Sequence, residues 1–260
     1  MFSHVKGYFY KHYIMYKKST VEKATLFIYP FVSLFSIGLL ALYLRAMGSP
    51  LDVVPFVMIG VIAWTFYDLC QRVVVYGILL DIWDYCLKHS MISTATLVDY
   101  LIGNSLFGLL ISSISLLILN ILSSVFFGFS IFSAGVASVI SFIIIFIFAV
   151  ATGLAINSII LLGNKENAVL VWSVPGIVMV FSGVYYPLNM LPGIIQAIAY
   201  ILPTTYAIEA IRIDMGFSEG ILWRTLLYGL VTSLIYLVFF YHVFERAIFQ
   251  ERKKGKTILS

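Results

Sequence analysis

Two oppositely charged pairs carry most of the chemistry that this sequence offers. Asp68 and Arg72 stand four residues apart, Glu209 and Arg212 three apart, so each pair shares one helix face. Ions inside apolar segments usually face a bundle interior or a water-filled cavity. On that rule Asp68 and Arg72 are candidates for the inner end of a path, or else an interfacial pair with Arg72 snorkelling to headgroups. Glu209 and Arg212 either polarise an outer mouth or mark where the chain resurfaces into water.

Other chemistries lack their parts. His4, His12, His89 and His242 are scattered, and Cys70 and Cys86 have no histidine at ligand spacing, which argues against a metal site. Both cysteines fall towards the reducing side of the topology below, so no disulfide is expected. H-E-x-x-H does not occur and the histidines are dispersed, so no nucleophile–base set for intramembrane enzyme chemistry is apparent. Gly255-Lys256-Thr257 imitates a phosphate loop, but Gln250 stands where the first glycine is required. A basic tail after an apolar helix also lacks the strand and helix of that cradle, so no ATP site is expected on this chain.

The surroundings of these residues are apolar. Of the 260 residues 62% are hydrophobic and 11% charged, with mean hydropathy +1.03. Soluble domains carry about 25% charged residues, so the chain belongs in a bilayer. Apolar runs at 24–44, 53–80, 101–127, 133–162, 168–186 and 222–244 each meet the ~17–25 residues of a spanning helix. In the second, the spanning part is expected at Val53–Leu69, with the rest at the inner boundary. The net charge of +4 comes from residues at the edges of these runs and gives no reason to expect a nucleic-acid partner.

Orientation follows from lysine and arginine. With the N-terminus inside, thirteen of the sixteen are cytoplasmic, leaving Arg45, Arg212 and Arg224 outside. The fold class is therefore all-α: six transmembrane helices with both termini cytoplasmic. Residues 1–23 mix Lys6, Lys11, Lys17, Lys18 and Lys23 with six Phe and Tyr, the pattern of an interfacial amphipathic helix. Residues 24–244 form the membrane domain and 245–260 a basic cytoplasmic tail. No cleavable signal and no internal repeat are apparent.

Between the fifth and sixth runs, Ser182–Arg212 is apolar but broken by Pro187, Pro192 and Pro203. Its longest uninterrupted piece, Gly193–Leu202, rises only ~15 Å as a helix, half of a hydrocarbon core. Short broken helices survive at membrane depth only beside protein or a water-filled cavity. The segment therefore predicts a re-entrant helix pair at the outer mouth, with Tyr185, Tyr186, Pro187, Pro192, Pro203, Tyr206, Glu209 and Arg212 as gate residues. Pro175 within the fifth run predicts a kink, either a gating hinge or a static bend. Asn104, Asn120 and Asn157 are expected to hydrogen-bond between helices. The inner loop 81–99 mixes Asp84, Lys88 and His89 with Met91 and Ile92, which suits either a docking surface or a helix lying on lipid.

The broken stretch SGVYYPLNMLPGIIQAIAYILPTTYAIEAIR resembles the permease subunits of type-2 ABC transporters. The likeness rests on Pro187, Leu191-Pro192, Pro203 with Tyr206, and the closing Glu209 and Arg212, although Leu202 stands where that family often has asparagine. Gly60–Phe66 resembles the family's second helix, and 81–99 falls at its coupling helix. The resemblance implies an exporter subunit that dimerises with itself or a homologous permease. It also implies a separate cytoplasmic ATPase that binds ATP and Mg, a multi-pass place in a prokaryotic cell membrane, and coupling through Asp84, Lys88, His89, Met91 and Ile92. Substrates of such proteins include polysaccharides, lipid-linked glycans, lipids and drugs. A self-contained carrier or channel is the alternative that the residues themselves leave open.

Overall fold

The computed structural model describes residues 2–48, 52–83, 96–163 and 165–254. They form nine helices: α1 Phe2–Lys18, α2 Thr20–Ala46, α3 Val53–Trp83, α4 Leu97–Phe127, α5 Gly135–Leu162, α6 Leu170–Phe181, α7 Gly193–Ala199, α8 Pro203–Asp214 and α9 Leu222–Lys254. Short 3-10 turns precede α5 and α6 and lie between α6 and α7. Among the described residues there is no strand.

Local chemistry sets the boundaries. The Ser19 hydroxyl accepts from the Glu22 amide and caps α2, separating it from α1 by a single residue. Thr96 and Asp99 form a reciprocal capping box at the start of α4. Gly128, in the left-handed region, closes that helix.

α3 is the axis of the fold. It is apolar on every side and buried along almost its whole length, which is the mark of a helix surrounded by others. α4, α5 and α2 pack around it, and α9 lies along α5. α1 crosses α4 rather than continuing α2. Outward faces of α2 and α9 expose Phe27, Phe31, Leu39, Leu227, Ile235 and Phe239. Such a continuous apolar rind suits lipid rather than water.

Five helices (α2, α3, α4, α5 with its preceding turn, and α9) are long and apolar enough to cross a membrane, so this is a multi-pass membrane protein. The fifth apolar run differs from expectation. It is helical only over Glu166–Phe181, about 24 Å, because Ser182, Gly183 (φ 65°) and the residues before Pro187 leave the helical region. A sixth crossing is completed if α7 and α8, which meet at 92°, count as one broken span. α3 runs unbroken past Leu69 to Trp83 and is buried as far as Ile82 except at Val53, Pro55 and Leu80. α9 carries helix into the basic tail as far as Lys254.

Candidate functional site

The broken stretch folds into an elbow over a cleft. Pro203 opens α8 as its first residue, where its missing N–H leaves no donor to satisfy. The elbow closes on itself: Thr205 Oγ1 donates to Ala199 O at 2.7 Å, and Tyr206 OH to Tyr200 O at 2.8 Å. The Ser182 and Thr204 hydroxyls share a bond of 2.5 Å.

Arg212 ties this elbow to the core. Its side chain is 0% exposed and donates to Gly183 O (2.9 Å), Val184 O (3.0 Å) and Phe56 O (3.3 Å), with Glu209 Oε1 at 3.2 Å. The guanidinium also lies over the Phe56 ring. Its planar fork thus joins the turn after α6, through the Gly183 and Val184 carbonyls, to the first turn of α3, through the Phe56 carbonyl. Arg212 therefore does not line the mouth. Glu209, 18% exposed, does.

The cleft beneath the elbow has a volume of about 680 Å³ and is lined by Pro187, Met190, Tyr200, Tyr206, Glu209 and Glu219, among others. Pro187, Tyr206 and Glu209 of the expected gate residues meet there. Pro203 is buried behind them, and Pro192 is exposed at the start of α7. Tyr186 donates back to Val180 O.

Tyr185 turns the other way. It borders a second groove of about 280 Å³ between α2, α3 and α6, together with Tyr29, Trp64, Asp68, Arg72 and Trp172. The sequence placed Tyr185 outside and the Asp68–Arg72 pair at the inner end; the fold puts all three in one groove. Asp68 lies half-way along α3, 2% exposed, and pairs with Arg72. Arg72 Nε has no hydrogen-bond partner among the described residues, and neither does either amide atom of neighbouring Gln71. The charged pair is thus a buried mid-helix feature, not a snorkelling one.

Two groove aromatics, Tyr29 and Trp172, went unread in the sequence because each sits in an apolar run with no spacing signal, and Trp64 was read only within the Gly60–Phe66 resemblance. Trp64 Nε1 donates to Pro175 O at 3.1 Å, so the proline inside α6 is pinned to α3.

Between α3 and α4, Asp84, Lys88, His89, Met91 and Ile92 lie outside the described residues. The stems that lead to them are fixed from α1. Lys11 pairs with Asp81 and donates to Gly77 O at 3.3 Å. His12 Nε2 bonds Asn104 Oδ1 at 2.8 Å. Tyr8 packs edge-on against Tyr100. Burial, reinforced by the neighbouring Lys11 charge, lowers the His12 imidazole to about 4 despite the bond to Asn104. Asn157 also bonds across helices, to Val74 O at 3.0 Å. Asn120 does not: it accepts from Ser130 and the Ile131 amide, capping the turn after α4.

No curated protein matches this chain. The model of the ABC-2 type transporter family, however, matches residues 6–215, from α1 through the end of the elbow. The chain belongs to that family, as a membrane-spanning permease subunit of an ABC transporter.

Proposed function

We propose that this chain forms half of the translocation path of an ATP-driven exporter, with a second copy or a homologous permease supplying the other half. A separate cytoplasmic ATPase binds ATP and Mg and docks on the inner loop through Asp84, Lys88, His89, Met91 and Ile92. Both termini are cytoplasmic and the protein resides in a prokaryotic cell membrane. The substrate is a polysaccharide, lipid-linked glycan, lipid or drug.

One observation carries the reading: a bilayer-embedded fold holds a buried ion pair open to an aromatic groove and, elsewhere, a broken-helix elbow over a cleft. Lipid-facing surface has no use for either, whereas a second permease half laid along α2 and α6 encloses the groove. Nucleotide-driven tilting of the two halves then exposes the groove to one side and the other in turn, with Pro187, Tyr206 and Glu209 at the outer exit.

The test is purification of the tagged chain from its own membranes in mild detergent, followed by reconstitution. A soluble ATPase recovered at one copy per permease, and solute movement that needs ATP, is the expected result. Solute movement by the chain alone, without nucleotide, would instead make it a carrier or channel, with Asp68 as the ionisable group in the path.

A further inference from the structure

We propose that the outward face of α1 is a docking surface for the headgroups of anionic phospholipids. Lys6, Tyr10, Tyr13 and Lys17 are all exposed. At about 100° per residue they fall within an arc of about 60°, so they form one stripe along the helix. Tyr10 and Tyr13 stack with centroids 5.9 Å apart, and the two lysines bracket that ring pair.

The opposite face is already occupied. Tyr8, Phe9, His12 and Tyr16 pack on α4, and Lys11 is neutralised by Asp81. No Asp or Glu occurs before Glu22, so the stripe has no counter-charge of its own on α1. Charge complementarity thus calls for an anionic surface.

Depth favours lipid over an acidic partner protein. Only Ser19 separates α1 from α2, whose exposed Phe27, Ile28 and Phe31 face hydrocarbon. A helix joined so closely to a membrane span lies at the boundary, where tyrosine rings and lysine heads meet headgroups. The consequence reaches further in. α1 is clamped to Asp81 near the end of α3 and to Tyr100 and Asn104 near the start of α4, the two stems of the inner loop. Headgroups held on its outer face therefore fix a strap across both stems.

The experiment does not depend on the exporter reading. The full chain is placed in nanodiscs of phosphatidylcholine alone or with phosphatidylglycerol, released into mild detergent, and weighed by native mass spectrometry. Wild type should retain phosphatidylglycerol in preference to phosphatidylcholine, and K6Q/K17Q should retain at least about tenfold less. K6R/K17R, which keeps the charge, should match wild type. Equal retention by wild type and K6Q/K17Q would overturn the proposal, as would loss in K6R/K17R. So would unchanged lipid retention in K6Q/K17Q accompanied by loss of a co-purifying soluble protein, which would assign the stripe to an acidic partner instead.

Discussion

The Arg212 guanidinium lies 3.6 Å from the centroid of the Phe56 ring while its N–H groups serve the carbonyls of residues 56, 183 and 184. Three chain segments therefore meet on one cation. Arg212→Lys offers a point charge in place of a planar fork and cannot reach all three carbonyls. We expect a loss of about 3–5 kcal/mol, the scale for breaking a buried ionic network. Glu209→Gln keeps an acceptor for Arg212, which still holds its three carbonyls, and should lose less, about 1–3 kcal/mol. Thermal unfolding of both variants in detergent checks the ordering; equal losses would mean that Arg212 acts only as the ion-pair partner of Glu209.

Gly60 makes the same junction possible from the α3 side. A Cβ at this position would collide with the Val184 carbonyl oxygen, an acceptor of Arg212. Gly60→Ala should therefore push the turn off α3 and destabilise by about 1–3 kcal/mol. Gly7, with nothing within 4 Å of its would-be Cβ, is the control. Gly7→Ala should be neutral or stabilise by up to about 1 kcal/mol. Because Gly60 and Arg212 converge on Val184, the double variant should lose less than the sum of the singles.

Much of this frame was legible from residue order. Apolar runs located the long helices, and Pro187, Pro192 and Pro203 announced the elbow, since proline acts through its own backbone. What depends on tertiary meeting points was not legible. Run length could not place Asp68 in depth, because α3 continues through 31 residues with no compositional break. Nothing near Tyr185 reveals that it faces Asp68 and Arg72. Arg212 looked like a mouth residue because its carbonyl partners arise from a turn whose path only the fold defines. The fifth run looked long enough to span because hydropathy does not register the turn at Ser182–Gly183.

Asp68 and Arg72 can be tested for function apart from stability. Asp68→Asn alone leaves a buried guanidinium without its carboxylate and should destabilise by about 3–5 kcal/mol. Replacing the pair together, as D68L/R72M, removes both charges and should restore most of that loss. If the groove is the path, the restored double variant should fold normally yet lose substrate movement by tenfold or more in reconstituted vesicles. Transport at the wild-type rate by the well-folded double variant would reduce the pair to a packing feature.

The His12 contact gives α1 a pH dependence whose sign is fixed by burial. The ordinary imidazole value of 6.5 falls to about 4 in the folded protein, so unfolding or undocking of α1 takes up a proton below pH 6.5. The stability that His12 confers is complete above its unfolded value and is lost as pH falls from 6.5 towards 4. The shift corresponds to at most about 3 kcal/mol. Amide hydrogen exchange along α1 should accordingly be slow at pH 7.5 and rise, after correction for intrinsic rates, as the pH falls to 4.5. His12→Gln keeps a polar partner near Asn104 without an imidazole to protonate, and should flatten the profile. An equally steep profile in that variant would mean that His12 is not the group whose protonation loosens α1.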